Sequence, residues 1–119
     1  MTNSIIFRIH NSDLASRQAA AELRAKVESQ VKAGKNVAID FSNVFSVSES
    51  FADELFGVLV LRQGLSWLSE NVSILHADPL VFRAILSSIR QRLISDTLDK
   101  PDIALLTARK VLQERRSRH

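Results

Sequence analysis

The chain has 119 residues, of which 45% are hydrophobic and 24% are charged, and it contains no cysteine. This length suits one domain with its own core, and the absence of thiols excludes a disulfide framework, thiol catalysis and cysteine-bound zinc. No apolar stretch approaches the roughly 18 residues of a membrane span, so we expect a soluble, cytoplasmic protein without membrane contacts.

The charge is distributed unevenly along the chain. Residues 1–99 carry 10 Lys and Arg against 11 Asp and Glu, whereas residues 100–119 carry 6 against 2. The positive excess therefore lies in the tail, where Arg115, Arg116 and Arg118 could touch a nucleic acid or simply end a solvated helix. A nucleic-acid-binding accessory role for this C-terminal segment is an alternative function.

The first half of the chain predicts a strand, a helix and a second strand. Residues 5–9 alternate as a strand does, and apolar residues of 13–33 recur at spacings of four or five, which predicts a helix that ends at Gly34. Residues 37–39 are all apolar, which is typical of a strand buried on both faces. Asp40 ends this strand, and we expect its carboxylate to accept a backbone bond in the following turn.

The second half predicts a helix, a third strand and two further helices. A helix from about residue 49 to residue 61 is apolar on more than one face, so its second face could be covered by a partner or another copy of the chain. A connection containing residues 64–67 leads to a strand at 71–76. Asp78 and Pro79 then cap and open a helix.

This order predicts an α/β fold with a short mixed or parallel sheet and helices packed against it. We assign residues 1–97 to the domain and residues 98–119 to an added C-terminal helix with its basic tail. Residues 96–100 form the expected linker, and Pro101 restarts a helix.

No enzyme motif is present. The three glycines lie far apart, and His10, His76 and His119 lack the spacing of metal ligands. Asp40 could be the phosphorylated aspartate of a receiver domain, but no acidic pair follows the first strand to hold magnesium. No nucleophile is paired with a base. We therefore expect no catalytic residue, no metal and no cofactor.

A serine-rich turn after the second strand delivers Ser50 to the start of a helix. Ser50 could cap this helix, as Asp53 three residues later suggests, and would then contribute about 1 kcal/mol. It could instead carry a phosphate at a helix end that favours negative charge. These residues leave both interpretations open.

Several segments form one pattern: Ala-Ile-Asp-Phe-Ser-Asn-Val at 38–44, Ser-Phe-Ala-Asp-Glu-Leu at 50–55, the upstream segment around Arg17, and His-Ala-Asp at 76–78 before a helix ending Ile-Arg-Gln-Arg-Leu at 89–93. The pattern resembles the bacterial STAS-like domains of unknown function, which are distantly similar to anti-sigma-factor antagonists. The resemblance covers about residues 5–94 and excludes the basic tail.

Antagonists of this kind work by partner switching: an ATP-binding anti-sigma kinase phosphorylates one serine at the start of the second helix and releases the antagonist. The resemblance implies that this serine is Ser50 and that the partner is an ATP-binding kinase or an anti-sigma-like ATPase. The residues expected on the docking surface are Val47, Ser48, Glu49, Phe51, Asp53 and Glu54. Antagonists have a glycine at the position of Phe51, and the carboxylates around Ser50 could instead pair with an arginine of a partner.

Overall fold

A computed structural model describes residues 3–98 of the chain. The elements, in chain order, are β1 (Ser4–Arg8), β2 (Asp13–Leu14), α1 (Arg17–Lys32), β3 (Asn36–Asp40), β4 (Ser46–Val47), α2 (Glu49–Ala52), a π-helical segment (Asp53–Gly57), α3 (Val58–Gln63), α4 (Leu65–Asn71), β5 (Val72–Leu75) and α5 (Pro79–Leu98). The predicted helix from Pro101 and its basic tail, and with them the nucleic-acid alternative, lie outside the described residues. Within residues 3–98, no helix has both the length and the apolar character to cross a membrane.

Three parallel strands form the main sheet, in the order β1-β3-β5. Ile5 lies opposite Val37, and Val37 lies opposite Val72, so alternate side chains of all three strands share one face. Parallel neighbours need crossover connections, which α1 and the helices between β3 and β5 supply. Val37 and Ile39 are buried against the helices, whereas Ile6 on the opposite face is exposed. The expected α/β fold is confirmed, and its sheet is parallel.

A second sheet of two short parallel strands joins the serine-rich turn to the residues before α1. β2 pairs with β4, and just beyond this pair the Ser48 N–H donates to the Leu14 carbonyl at 2.7 Å. The sequence predicts helix where β2 lies, and this prediction is wrong, because α1 begins only at Arg17. Ser16 caps α1 by accepting a backbone N–H bond at 3.2 Å.

The helical run over residues 49–63 passes through the middle of the core. Its side chains Leu55, Phe56 and Leu59 are fully buried, and the ring centroid of Phe56 lies 6.3 Å from that of Phe41. Helices α1 and α5 both contact this run. Most of the apolar circumference of this run is therefore covered within the chain, whereas Leu61 is 47% exposed. The expectation that a partner or a second copy covers part of the run stays a prediction.

Two boundaries in the second half differ from the sequence prediction. The expected connection at residues 64–67 mostly belongs to α4, in which the Asn71 side chain donates to the Trp67 carbonyl at 2.8 Å. The prediction that a linker begins at residue 96 is wrong, because α5 continues to Leu98. The cap of α5 is confirmed: Oδ1 of Asp78 accepts two backbone N–H bonds at 2.9 and 3.1 Å.

Candidate functional site

Ser48, and not Ser50, caps the helix that follows the serine-rich turn. Its hydroxyl oxygen accepts a bond from the Phe51 N–H at 3.0 Å. The same hydroxyl donates to the Ala15 carbonyl at 3.4 Å and so joins the cap to the segment before α1. Because α2 already begins at Glu49, the capping interpretation of Ser50 is wrong.

Ser50 lies in the first turn of α2 and is half-buried. Its hydroxyl forms no hydrogen bond within residues 3–98. It lines an open cavity of about 260 Å³ between the start of α2 and one face of α5. The other residues that line this cavity are Arg17, Glu49, Asp53, Gln91, Arg92 and Ser95. Removing the Ser50 hydroxyl would therefore break no bond in the part of the chain that the structure describes.

A bidentate ion pair connects the π-helical segment with α5 at the wall of this cavity. Nε and Nη2 of Arg92 donate to the two carboxylate oxygens of Asp53 at 2.6 and 2.7 Å. Nη1 of Arg17 lies 3.7 Å from the same carboxylate. The hydrogen bond from Arg92 holds the pKa of Asp53 below its usual value, and the bond to Asp53 raises the pKa of Arg92. Both side chains are therefore charged at neutral pH.

Arg24 of α1 binds the helical run where its regular hydrogen bonds are interrupted. The Val58 N–H bonds to the Asp53 carbonyl, five residues back, which is the π-helical pattern. The Glu54 carbonyl accepts instead from Nη1 of Arg24, which also lies 3.7 Å from the Glu54 carboxylate. Arg17 lies 3.5 Å from that carboxylate. Two arginines of α1 thus fix the π-helical segment.

Gly57 provides the space that the Asp53–Arg92 pair occupies. A Cβ atom at position 57 would lie 2.5 Å from Oδ1 of Asp53 and 2.8 Å from Cγ of Arg92. The φ of Gly57 is −60°, an ordinary helical value. The absence of a side chain matters here because of the close approach, and not because of the backbone angle.

A family model matches residues 19–82, just over half of the chain. The family is described as a STAS-like domain of unknown function. This chain belongs to that family. No match was found among curated proteins or among solved structures. The matched range of this STAS-like domain includes most of α1, the serine-rich turn and the π-helical segment. Ser50, Glu49 and Asp53 lie within it, whereas Arg17 and the α5 residues of the cavity lie outside.

The STAS-like domain exposes the predicted docking residues to different degrees. Four of them are half-buried: Val47, Ser48, Asp53 and Glu54. Glu49 is exposed and forms no ion pair with another residue of the described range. Phe51 is only 2% exposed and belongs to the core. Its place on the docking surface is therefore wrong, because its side chain cannot reach a partner.

The sequence does not reveal that arginines balance the carboxylates around Ser50. From the sequence, Arg17 is noted only in a segment of the family resemblance. No charge pairing is predicted for Arg24 or Arg92. Arg92 is 39 residues from Asp53, and Arg24 is 30 residues from Glu54, so only the fold brings these charges together. A partner arginine would have to compete with existing pairs at Asp53 and Glu54, whereas Glu49 forms no ion pair within the described range.

Asp40, at the end of β3, has the structural role expected from the sequence. Its Oδ1 accepts the Ser42 N–H at 2.9 Å, and this bond holds the pKa of Asp40 below its usual value. Nε of Arg8 lies 3.5 Å from the other carboxylate oxygen. No group of three or more histidine, aspartate or glutamate side chains that could hold a metal ion occurs between residues 3 and 98.

Proposed function

We propose that this STAS-like domain is a non-enzymatic regulatory module of the cytoplasm that binds a protein partner through the surface around Ser50. Phosphorylation of Ser50 controls this binding. The partner is an ATP-binding kinase or an ATPase of the anti-sigma type, since the antagonists that the chain resembles act with such partners.

The observation that carries this proposal is the unused hydroxyl of Ser50. A serine in the first turn of a helix commonly serves the helix, but here Ser48 already accepts the backbone bond of the cap. Ser50 is half-buried and lines an open cavity, and its hydroxyl bonds to no other residue in the described range. A hydroxyl at the edge of an open cavity that has no role in the fold is available for modification.

The charges around Ser50 explain how a phosphate would change the surface. The cavity contains two arginines, Arg17 and Arg92, and two carboxylates, Glu49 and Asp53. A phosphate adds nearly two negative charges, which makes a balanced surface strongly negative. A partner that docks on the balanced surface would then lose affinity through repulsion and through the cost of desolvating the phosphate.

Arg17 is the residue best placed to respond to the phosphate. Its side chain is 57% exposed and lies no closer than 3.5 Å to the carboxylates of Asp53 and Glu54. Exposed pairs of this kind contribute little to stability, so the guanidinium can turn towards a stronger anion at small cost. Arg92, with two short bonds to Asp53, stays in place.

The experiment combines phosphorylation with binding. The purified chain is incubated with ATP and an ATP-binding kinase encoded in its gene neighbourhood, and the phosphorylated peptides are mapped by mass spectrometry. We expect phosphate on Ser50, with loss of the bound kinase, whereas Ser50→Ala stays unmodified and bound. Ser95→Ala is the matched control, because Ser95 lines the same cavity from α5. Phosphate found only at other residues, or Ser50→Ala binding and dissociating as wild type does, would refute the proposal.

A further inference from the structure

We propose that the outer face of α5 binds an acidic amphipathic helix of another protein. This second surface borders the Ser50 cavity, with which it shares Glu49 and Gln91. It is tested on the unmodified chain, so the test does not require phosphorylation of Ser50.

Large apolar side chains are concentrated on this outer face. Nine such side chains are exposed among residues 3–98, and five of them lie on α5. These five are Leu80, Phe82, Leu86, Leu93 and Ile94, which are between 37% and 69% exposed. A helix that only covers a core presents a polar outer face, and a cluster of exposed apolar side chains marks a contact surface.

Three of the five side chains form one stripe along α5. With 3.6 residues per turn, Phe82, Leu86 and Leu93 lie on one side of Arg83 and Arg90. Leu80 and Ile94 lie on the other side of the arginines, but about 21 Å apart along the helix. The outer face of α5 therefore combines two arginines with one apolar stripe.

The two arginines of this face, Arg83 and Arg90, form no ion pair with any residue from 3 to 98, although Glu49 of α2 lines the same cavity as Arg83. Both arginines are exposed. The sequence from Pro79 to Ser95 contains no Asp or Glu. The third arginine of this stretch, Arg92, is occupied by Asp53.

A concave site lies on the same face. A cavity of about 260 Å³ is lined by six residues of α5 and by Glu49 of α2. The six residues of α5 are Leu80, Arg83, Ala84, Ser87, Ser88 and Gln91. Bound helices commonly anchor one large side chain in such a depression while their other contacts exclude water. An apolar anchor would fill the cavity, and carboxylates on the next turns of the bound helix would complement Arg83 and Arg90 on the side away from Glu49.

Charge argues against the other candidates for this face. A second copy would bring its own Arg83 and Arg90 against the same arginines, and residues 100–119 carry 6 Lys and Arg against 2 Asp and Glu. Both candidates would repel the two arginines of this face. Anionic membranes are recognised by clusters of about 4 to 8 basic residues, twice or more what this face offers. An acidic amphipathic helix is the partner that its charge and shape favour.

Two synthetic peptides test the proposal on the full chain. One is an amphipathic helix of about 20 residues with leucines at heptad spacing and glutamates beside them. The other has lysine in place of each glutamate, and binding is followed by fluorescence anisotropy. We expect the glutamate peptide to bind at least about tenfold more tightly, and we expect the double substitution R83E/R90E to reverse the preference. The matched control K26E/K32E changes the charge equally on exposed positions of α1 and should leave the preference intact.

Three results of this experiment would overturn the proposal. The first is that neither peptide binds, and the second is that the two peptides bind equally tightly. The third is that K26E/K32E changes the preference between the peptides as R83E/R90E does. Vesicles of phosphatidylserine and phosphatidylcholine provide a further arm. If they bind the chain through Arg83 and Arg90 while the glutamate peptide does not bind, the face recognises lipid and the proposal is wrong.

A single introduced thiol shows whether the outer face of α5 is accessible to solvent or is covered by this chain or a second copy. The chain has no cysteine, so Leu86→Cys carries the only thiol, and its rate of alkylation is compared with that of an unstructured peptide. We expect rapid labelling at every protein concentration. Protection at all concentrations would show that the chain covers its own face, and protection that grows with concentration would show a second copy. Either result contradicts the proposal. Circular dichroism confirms that each variant is folded.

Discussion

Replacing Gly57 by alanine should destabilise the protein, although the opposite is normal within a helix. Gly57 has helical backbone angles, and at such a position alanine usually stabilises by about 1 kcal/mol. Here the new Cβ would lie 2.5 Å from Oδ1 of Asp53 and 2.8 Å from Cγ of Arg92. Both distances are shorter than van der Waals contact, so one of the two side chains must move.

The expected magnitude follows from what the movement breaks. The two bonds between Asp53 and Arg92 are charge-assisted, but these side chains are 22% and 33% exposed, so we take about 3 kcal/mol for the pair together. If the pair holds and the helices separate instead, overpacking costs about 1 to 3 kcal/mol. After subtraction of the helical gain of about 1 kcal/mol, Gly57→Ala should lower the free energy of unfolding by up to about 2 kcal/mol.

A double-mutant cycle measured by urea unfolding tests this reasoning. In the Asp53→Ala background the oxygen is absent and Arg92 is free to move, so Gly57→Ala should be neutral or stabilise by up to about 1 kcal/mol. Gly34→Ala is the control: no atom lies within 4 Å of its Cβ position, and its φ of +89° strains alanine equally in both backgrounds. Stabilisation of the wild type by Gly57→Ala, or an equal loss in both backgrounds, would refute the close-packing explanation.

Three further predictions concern the same region. Ser48→Ala should cost about 1 kcal/mol in urea unfolding and Ser50→Ala less than about 0.5, because only Ser48 caps α2; equal losses would contradict this assignment. The lowered pKa of Asp53 means that its charge stabilises the fold above the unfolded-state pKa of about 3.9, and that this contribution is lost as the pH falls through the lower folded-state pKa. The difference in unfolding free energy between wild type and Asp53→Asn should therefore be larger at pH 7 than at pH 3, and a difference independent of pH would count against the ion pair. Arg24→Met removes the side chain that donates to the Glu54 carbonyl and should cost about 1 to 3 kcal/mol, whereas the substitution of the exposed Arg17 by methionine should cost less than about 1 kcal/mol. Thermal unfolding of the two variants checks this ranking, and the reversed order would contradict it.

The sequence predicts those parts of the fold whose signal is local. The apolar run at 37–39 indicates a buried central strand, and both side chains that face the helices there are in the core. Gly34 follows α1 with a positive φ, and Asp78 caps α5 next to Pro79, because these residues act through their own backbone neighbourhood. Periodicity and capping chemistry are therefore enough to recover the order of the main strands and helices.

Other elements depend on contacts that periodicity does not encode. β2 and β4 have two residues each and exist only because residues 13–14 and 46–47 meet in the fold. α4 has seven residues, too few to show a clear apolar stripe. The π-helical segment depends on a carbonyl that Arg24 satisfies from another helix.

At the candidate site, the sequence points to the serine-rich turn but does not give the structural role of each serine. Ser46, Ser48 and Ser50 recur at every second position, so several of them could serve as the cap. A usable signal was the glutamate at position 49, since an acidic residue in the first turn favours the serine directly before it as the cap. The arginines that balance the site come from distant positions and had no local signal.

The most direct test of the central claim is the affinity of the ATP-binding partner for the chain with and without a phosphate on Ser50, measured by titration calorimetry with Ser95→Ala treated in parallel. We expect the phosphate on Ser50 to weaken binding by at least about tenfold, which corresponds to about 1.4 kcal/mol, and Ser95→Ala to respond as the wild type does. Equal affinity of the phosphorylated and unphosphorylated forms would contradict it.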